Sequence, residues 1–311
     1  MYSVIITDYR TIDNSINYIK QFANACKDSI HFLVVDNSNR KDGYRYIKKH
    51  QLKYETNIFK GKNVYTFLVD SSIQITLMDA GCNGGYAVGN NLGASYTKHF
   101  FKDKYYIFSN TDLELPEYFS LHTLADYIEK DSSIGIIGPD ILSPIGERQS
   151  PRKNKGFISQ MILWDINILV LKNALTKWIW NLDIDNHGGE TDWISGSFMF
   201  INAYAFNQVG GFDENTFLYA EEMIISKRMR IAGFKTYFAP DFIIIHHHKG
   251  TQSRNSRKIL HHSKRYYYKQ YENTNILLLL LSDIIYNLSE FILLVKHDVV
   301  INAIRKIARW K

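Results

Sequence analysis

Cysteine is scarce in this chain of 311 residues, and the common phosphate-binding motifs are missing from it. Its two cysteines, Cys26 and Cys82, cannot form a disulfide framework, and they suit a reducing cytosol. The first residues enter an apolar strand pattern at once, so we expect no secretory signal peptide. Neither a Walker A loop nor a GxGxxG fingerprint is present. A Gly-rich lysine loop near the N-terminus is also lacking, which disfavours a nucleotidyltransferase.

The excess of positive charge is small as well. Lysine and arginine outnumber aspartate and glutamate by 37 to 31, which gives a net charge of +6. A nucleic-acid partner would need this surplus on one face, whereas it gathers toward the C-terminus, so we expect no such partner. The hydrophobic fraction of 45% supports one large α/β domain or two halves that share a cleft.

Short apolar runs alternate with helical patterns along the first part of the chain. Residues 3–7 and 31–35 are rich in β-branched side chains and predict buried strands, with an amphipathic helix over 14–26 between them. This order is typical of a parallel sheet, in which ligands bind outside the carboxyl ends of the strands. Asp36 follows the second strand and could accept hydrogen bonds from a base or ribose, although a simple turn residue explains it equally well.

The same kinds of pattern predict the secondary structure of the rest of the first 201 residues. We predict further strands over 64–69, 75–78, 105–109, 134–137 and 193–201, and helices over 116–130 and 156–181. Residues 40–63 predict a helix and a solvated loop, and residues 138–154 and 183–192 predict loops. Gly196, inside the strand pattern over 193–201, indicates a bulge or the close approach of a ligand.

A loop rich in glycine and asparagine spans residues 83–93. Its glycines would let the backbone approach a ligand, and the helix that starts here offers free N–H groups to an anion. Its asparagines could hold the loop backbone or the hydroxyls of a ribose. Asn83, Gly85 and Asn91 are therefore candidate binding residues.

A second polar turn follows the strand over 105–109. Asn110 and Asp112 could hold a divalent cation between protein and diphosphate, because Mg²⁺ and Mn²⁺ favour one or two carboxylates plus substrate phosphates. An Asx turn before a helix that begins at Pro116 accounts for the same residues about as well.

Two adjacent glutamates, Glu221 and Glu222, begin a helical pattern after a glycine-rich turn. A positioned carboxylate with a raised pKa can act as a general base. Neighbours on a helix point about 100° apart, so only one of the two should face a given substrate atom. The other would serve the positive end of the helix dipole, and both acids could simply cap a surface helix. Three histidines, 246–248, end the strand pattern that follows.

The order of these motifs resembles the family 2 glycosyltransferases, above all the rhamnosyltransferase-like members that build bacterial surface polysaccharides. The resemblance covers roughly residues 3–253. Its matching pieces, in chain order, are Thr7 with Tyr9, segment 35–38, loop 83–93, turn 109–112, strand 193–197, segment 210–222, and Pro240 followed by His246. The chain departs from the family pattern at Asn110, where an aspartate is usual, and at Ile224, where many relatives carry an acid.

By position, the resemblance implies four groups of site residues. The nucleotide or donor residues are Thr7, Tyr9, Asp36, Asn83, Gly85, Asn91, Asn110 and Asp112. The acceptor residues are Trp193, Gly196 and Ser197. The metal ligands are Asp112, Asn110 and His246. The catalytic group is Glu222 as the base, with Glu221 and Asp213 beside it.

The resemblance also implies a GT-A fold, α/β and Rossmann-like, with a mostly parallel central sheet flanked by helices and a C-terminal helical extension. Residues 1–115 would bind the nucleotide sugar, residues 116–255 would bind the acceptor, and residues 256–311 would form the tail. The implied reaction is an inverting transfer that depends on Mn²⁺ or Mg²⁺. It would move a sugar from a UDP-, dTDP- or GDP-linked donor to a glycan or lipid-linked acceptor. A non-catalytic sugar-nucleotide or glycan-binding module on this fold is the alternative.

The tail differs in character from the rest of the chain. Residues 276–295 are almost wholly apolar, but Asp283, Asn287 and Glu290 recur at helical spacing, which argues against a clean membrane span. Residues 296–311 form a basic amphipathic pattern that fits an anionic membrane surface. We therefore expect a cytoplasmic protein, peripheral at the inner face of the plasma membrane. Packing of these helices on the catalytic domain or in a homodimer is the other interpretation.

Overall fold

The computed structural model describes residues 1–169, 187–247 and 253–308. The chain divides into two compact units, one of residues 1–152 and 183–250 and one of residues 153–182 and 251–311. The predicted boundaries at 115 and 255 remain a prediction, since the contacts group the chain differently. The predicted donor and acceptor halves both contribute to the first unit, and the predicted tail falls in the second.

Twelve strands of the described chain form one sheet, in the order β10-β12-β8-β11-β6-β1-β2-β5-β4-β3, with β7 beside β12 and β9 beside β8. The strands are β1 (Tyr2–Asp8), β2 (Ile30–Asp36), β3 (Tyr54–Phe59), β4 (Lys62–Val69), β5 (Ile73–Asp79), β6 (Tyr105–Ser109), β7 (Leu113–Glu114), β8 (Ile134–Leu142), β9 (Arg148–Ser150), β10 (Gly189–Glu190), β11 (Phe198–Asn202) and β12 (Lys235–His246).

The centre of the sheet is parallel, and its flanks contain antiparallel pairs together with the parallel pair β8–β12. β6, β1, β2 and β5 run parallel, so their carboxyl ends meet at one edge. β11 runs antiparallel to β6 and β8, and the β3–β4–β5 flank is antiparallel too. The α/β prediction is confirmed, with the refinement that the sheet is mixed rather than mostly parallel.

Helices cover the sheet and build the tail. Those of the first unit are α1 (Ile12–Ala25), α2 (Asp42–Lys49), α3 (Gly85–Phe100), α4 (His122–Lys130), α6 (Ala203–Gln208) and α7 (Glu221–Ile231). Those of the second unit are a π-helix (Ile158–Leu163), α5 (Trp164–Leu169), α8 (Arg254–Tyr271) and α9 (Ile276–Ala308). The C-terminal helical extension is thus confirmed.

Several predicted elements have other bounds. Residues 54–59 form a strand rather than a loop, and β8 and β9 occupy parts of the predicted loop 138–154. The predicted strand 193–201 begins only at Phe198, so Gly196 lies in the approach to it. The predicted helix 116–130 begins only at His122, because the Asp28 carboxylate accepts the backbone N–H of Leu121 (2.7 Å).

Some predictions fall outside the described residues. These are His248, the later part of the predicted helix 156–181, the start of loop 183–192, and residues 309–311 of the basic tail. Among the described helices, α9 is long and apolar enough to cross a membrane over Ile276–Val295, with a mean hydropathy of 1.9. This is a property of length and composition that core helices of soluble proteins share.

Candidate active site

The carboxyl end of β2 carries Asp36, which is fully buried. Its carboxylate accepts the backbone N–H groups of Ser38 (Oδ1, 2.8 Å) and Gly43 (Oδ2, 2.8 Å). Both oxygens therefore hold the loop that leads into α2. The predicted contact between Asp36 and a nucleoside remains a prediction, and the geometry assigns the side chain a loop-supporting role.

The glycine-asparagine loop enters α3 beside β1 and β2. Asn83 Oδ1 accepts the N–H of Gly85 (3.1 Å), and Asn37 Nδ2 donates to the Gly85 carbonyl (2.9 Å). Gly85 has φ +84°, and a Cβ there would lie 2.0 Å from the Phe217 carbonyl oxygen. Only glycine fits this conformation and this approach, so the loop is fastened directly to the segment that precedes α7.

Asn91 makes the second connection to that segment. Its Oδ1 accepts the N–H of Phe212 (2.9 Å), and its Nδ2 donates to the Phe212 carbonyl (2.9 Å) and to Glu214 Oε1 (2.9 Å). The Phe212 ring packs edge-on against Phe108 of β6, with centroids 4.8 Å apart. Asn91 therefore positions the turn ahead of the two glutamates, which its sequence pattern did not indicate.

Three other predicted site residues, Thr7, Tyr9 and Asp213, make contacts with nearby side chains or backbone. Thr7 Oγ1 donates to Asn90 Oδ1 (2.9 Å). Tyr9 is exposed, and the Arg10 guanidinium lies 4.9 Å from its ring centroid. Asp213 Oδ1 accepts from the backbone and side-chain nitrogens of Asn215, so it shapes its own turn.

The predicted metal residues Asp112 and His246 meet at neighbouring strand ends. β7 pairs with β12, and the N–H of His247 donates to the Asp112 carbonyl (2.9 Å). His246 Nε2 lies 3.4 Å from Asp112 Oδ1, with the Asp112 side chain 45% exposed and that of His246 9% exposed. Gln149 Oε1 lies 2.7 Å from His246 Nδ1, which orients the imidazole toward the aspartate.

This pair fits a divalent cation in part. A carboxylate oxygen and an imidazole nitrogen at this separation can bind one ion, with the remaining positions left to water and diphosphate oxygens. No group of three or more potential histidine, cysteine or acidic ligands occurs in the described part of the chain. Asn110 is tied through its backbone N–H to the Ser197 carbonyl (2.8 Å), and no contact shown for its side chain joins it to the pair.

The two glutamates begin α7 in different surroundings. They follow Tyr219 and Ala220, whose φ values of +70° and +64° are unusual for residues with a Cβ. Glu221 is buried, and its Oε2 finds no hydrogen-bond partner among the described residues. Burial and the neighbouring Glu222 charge raise the pKa of Glu221 well above its usual value. Glu221 therefore holds its proton in the folded protein beyond the pH at which an exposed glutamate loses it.

Glu222 is partly exposed and faces Gly196. Its Oε2 lies 3.8 Å from the point that a Cβ on residue 196 would occupy, and so does the Tyr86 hydroxyl. Tyr86 also donates to the Gly196 carbonyl (2.9 Å), which fixes the turn. The missing side chain at Gly196 leaves space directly in front of a carboxylate. A general base needs that arrangement toward a hydroxyl group.

Comparisons with known proteins fit this geometry. No family model matches the chain. The N-acetylglucosaminyl-diphospho-decaprenol L-rhamnosyltransferase of Mycobacterium tuberculosis is 27% identical over 186 residues, which cover 55% of this chain and 58% of that protein. Rhamnosyltransferase WbbL of Escherichia coli is 27% identical over 173 residues, 52% of this chain and 60% of that protein. This chain thus spans less than two thirds of the length of either relative.

Alignment with a solved structure identifies the fold. The mannosyltransferase PcManGT from Pyrobaculum calidifontis, in complex with GDP-Man and Mn²⁺, aligns with a TM-score of 0.54 at 11% identity, covering 100% of this chain and 80% of that chain. The fold is GT-A, and the chain is similar in sequence to rhamnosyltransferases. Because both named relatives are rhamnosyltransferases, the rhamnosyltransferase-like resemblance is confirmed as well.

In this GT-A domain, Arg152 is a site residue that the sequence did not reveal. Its backbone pairs with that of Trp193, and its guanidinium carbon lies 5.1 Å from the Trp193 ring centroid. Its Nε donates to the Gln149 carbonyl (2.7 Å). Burial lowers the pKa of Arg152 to about 10, against the opposing effect of the Glu222 charge. The side chain remains a cation at neutral pH and acts electrostatically on Glu222.

The segment 193–197 joins the two ends of this glycosyltransferase-like site. Ser197 accepts from Asn110 through its carbonyl, and its hydroxyl lies 2.9 Å from that of Ser195. The N–H of Ser195 donates to Ser150 Oγ (3.0 Å). The three predicted acceptor residues, Trp193, Gly196 and Ser197, therefore lie between the turn that carries Asp112 and the helix start that carries Glu222.

Proposed function

We propose that this protein is an inverting glycosyltransferase. It moves a sugar from a nucleotide-diphosphate donor to a hydroxyl group of a glycan or a lipid-linked glycan. The observation that carries the proposal is the placement of Glu222 Oε2 3.8 Å from the position of a Cβ on Gly196, a residue of the same short segment that meets the Asp112 turn through Ser197. The names of the two relatives support a rhamnosyl group as the sugar that is transferred.

The reaction needs one base and no covalent intermediate. Glu222 takes the proton of the acceptor hydroxyl as that oxygen bonds to the anomeric carbon. The bond from that carbon to the diphosphate breaks in the same displacement, and the nucleoside diphosphate leaves with the electron pair. Attack from the face opposite the leaving group inverts the configuration. Glu221 stays protonated behind the base, and Arg152 favours the ionised form of Glu222.

Asp112 and His246 would hold a Mn²⁺ or Mg²⁺ ion, with Asn110 as a weaker neighbour. Such an ion supplies charge neutralisation for the departing diphosphate. The solved mannosyltransferase contains Mn²⁺ and GDP-Man, which supports a cation and a nucleotide-diphosphate sugar donor here. Thr7, Tyr9, Asn83 and Gly85 would surround the nucleotide at the carboxyl ends of the parallel strands.

We also propose a cytoplasmic location at the inner face of the plasma membrane. A lipid-linked acceptor of the kind named for the mycobacterial relative would be presented there. The two cysteines of the chain are free, in keeping with a reducing compartment. A homodimer through the C-terminal helices is the alternative role for the tail.

Donor turnover tests the proposal against the non-catalytic alternative. The protein is incubated with GDP-, UDP- and dTDP-sugars and Mn²⁺, with and without glycan acceptors, and release of the nucleoside diphosphate is followed. We expect release that depends on acceptor, on metal and on Glu222. Donor binding without release under every acceptor condition, unchanged by Glu222→Gln, would favour a binding module.

A further inference from the structure

Helix α9 has its polar and apolar faces reversed relative to a helix packed on a soluble core. The side that faces the rest of its unit carries three buried polar residues, Ser282, Ser289 and Glu290, and the half-buried Asp283. The opposite side is a stripe of apolar side chains that are 43% to 70% exposed, namely Leu277, Leu281, Ile284, Leu288, Phe291 and Val295. We call this set the outer stripe. Its spacing of three and four residues places it on one face of the helix.

The two acidic residues of the inward face pair with α8. Asp283 accepts from Arg265 Nε (2.9 Å) and lies 2.9 Å from His261 Nε2. Glu290 accepts from Arg257 Nε (2.6 Å), and Arg254 Nε lies 3.4 Å away. The polar residues that argued against a membrane span in the sequence are thus the seam between two helices. That seam fixes which side of α9 faces outward.

A basic groove runs beside the outer stripe. Its volume is about 780 Å³, and Arg254, Lys258, His261, His262 and Arg265 of α8 line it, opposite Asp283 and Glu290 of α9. Lys258 and His262 are exposed, and so is Lys269, two turns further along α8. Cationic side chains therefore border an apolar stripe about 27 Å long, at 1.5 Å per residue over the eighteen steps from Leu277 to Val295.

We propose that the α8–α9 pair is a membrane-docking surface that lies in the plane of an anionic bilayer. The outer stripe enters the acyl boundary, and the basic groove with Lys269 contacts lipid phosphates. This assigns the contact to α9 and α8, in addition to the basic segment after residue 295. It refines the location given under the proposed function and does not depend on glycosyl transfer.

The charge pattern favours a bilayer over two other occupants. A helix that crossed the bilayer would carry Asp283, Glu290 and their arginine partners into hydrocarbon, which is costly even for paired charges. A symmetric pair of α9 helices would cover the outer stripe but would leave the exposed Lys258 and Lys269 of α8 facing water. An anionic bilayer accommodates both features, because its acyl region takes up the outer stripe and its phosphates contact the cations.

Vesicle flotation of the full chain tests this surface. We expect it to float with vesicles of phosphatidylcholine and phosphatidylglycerol in equal parts, and much less with phosphatidylcholine alone. The double change Leu281→Glu and Leu288→Glu should weaken binding by roughly tenfold to a hundredfold for each leucine. The double change Lys258→Glu and Lys269→Glu should weaken it by at least roughly thirtyfold, and only with the anionic vesicles.

The controls use exposed positions of the other unit. Ile145→Glu alters a more exposed apolar side chain, and the pair Lys53→Glu and Lys98→Glu reverses two exposed lysines. Both controls should float like the unaltered protein. Circular dichroism and melting temperature verify that every variant is folded, since all changed positions are at the surface.

Three outcomes would overturn the proposal. The first is flotation that does not respond to the two leucine changes. The second is resistance of the bound protein to alkaline carbonate, which would mean a helix that crosses the bilayer. The third is a dimer in light scattering that the leucine changes dissociate, with vesicle binding unaffected, which would make the stripe a contact between copies. Loss of flotation with glycosyl transfer to a soluble acceptor intact would leave the proposed function standing.

Discussion

Separate amide substitutions of the two adjacent glutamates test which of them removes the acceptor proton. Glu222→Gln keeps the size of the side chain in front of Gly196 but cannot accept a proton. General-base catalysis contributes about 10²–10⁴ in rate, so we expect kcat to fall by that factor while Mn²⁺-dependent donor affinity is kept. Release of nucleoside diphosphate with saturating acceptor measures the first quantity, and titration calorimetry measures the second.

Glu221→Gln should behave in the opposite way. Because burial and the Glu222 charge raise the pKa of Glu221 in the folded state, its neutral form is close in shape and charge to glutamine. We therefore expect this variant to keep most of its kcat. Between the ordinary glutamate pKa of 4.5 and the raised folded value, the native protein binds more protons than the unfolded chain, so its stability falls as pH rises.

The size of the pKa shift of Glu221 sets how much stability Glu221→Gln should gain. Each unit by which the folded pKa of Glu221 exceeds its unfolded value costs about 1.4 kcal/mol of stability above the folded pKa, and glutamine removes that cost. Urea unfolding at pH 5 and pH 8 should therefore show Glu221→Gln gaining stability relative to the unaltered protein at the higher pH. Glu190→Gln, at an exposed position of the same unit, serves as the control. Loss of transfer in Glu221→Gln with transfer kept in Glu222→Gln would refute the assignment.

Three further predictions concern the groups around the base. Asp112→Asn should lower Mn²⁺-dependent donor affinity by about tenfold to a hundredfold in calorimetry. Nucleotide binding in the absence of metal should be unchanged. A Mn²⁺-dependent affinity equal to that of the unaltered protein would show that Asp112 does not hold the cation. Arg152→Met should move the acidic limb of the kcat–pH profile to higher pH, because a lost cation favours the protonated form of Glu222, and Arg152→Lys should restore it. Gly85→Ala should destabilise the protein by about 2–4 kcal/mol in urea unfolding, because a Cβ at φ +84° meets the Phe217 carbonyl. An unchanged urea midpoint would contradict this close approach.

Local sequence patterns were sufficient for the centre of the sheet. The runs at β1, β2 and β6 are apolar and β-branched or aromatic, and their pairing in the sheet agrees with that preference. The resemblance also grouped Asp112 and His246 as predicted metal ligands, because both positions follow from the order of the motifs. Their 3.4 Å separation confirms that these two strand ends converge.

Where distant contacts decide the conformation, sequence patterns failed. The apolar run from Trp193 predicts a strand, but its first residues pair with the backbone of Arg152 and form a turn instead. Pro116 predicts a helix start, but the Asp28 carboxylate captures the N–H of Leu121 and delays the helix to His122. Arg152 itself stands in a stretch of proline, glycine and basic residues that indicates only a loop.

The segment between Ser195 and Ser197 explains how the site is held together. On one side Ser197 accepts from Asn110, next to the residue that would hold the cation. On the other side Gly196 opens the space in front of Glu222, with Tyr86 fixing its carbonyl. A Cβ at residue 196 would lie 3.8 Å from Glu222 Oε2 and from the Tyr86 hydroxyl, so we expect a larger side chain there to fill the position in front of the carboxylate. Under the proposed function the donor and acceptor sites share this short turn, so we expect a change there to affect both substrates together.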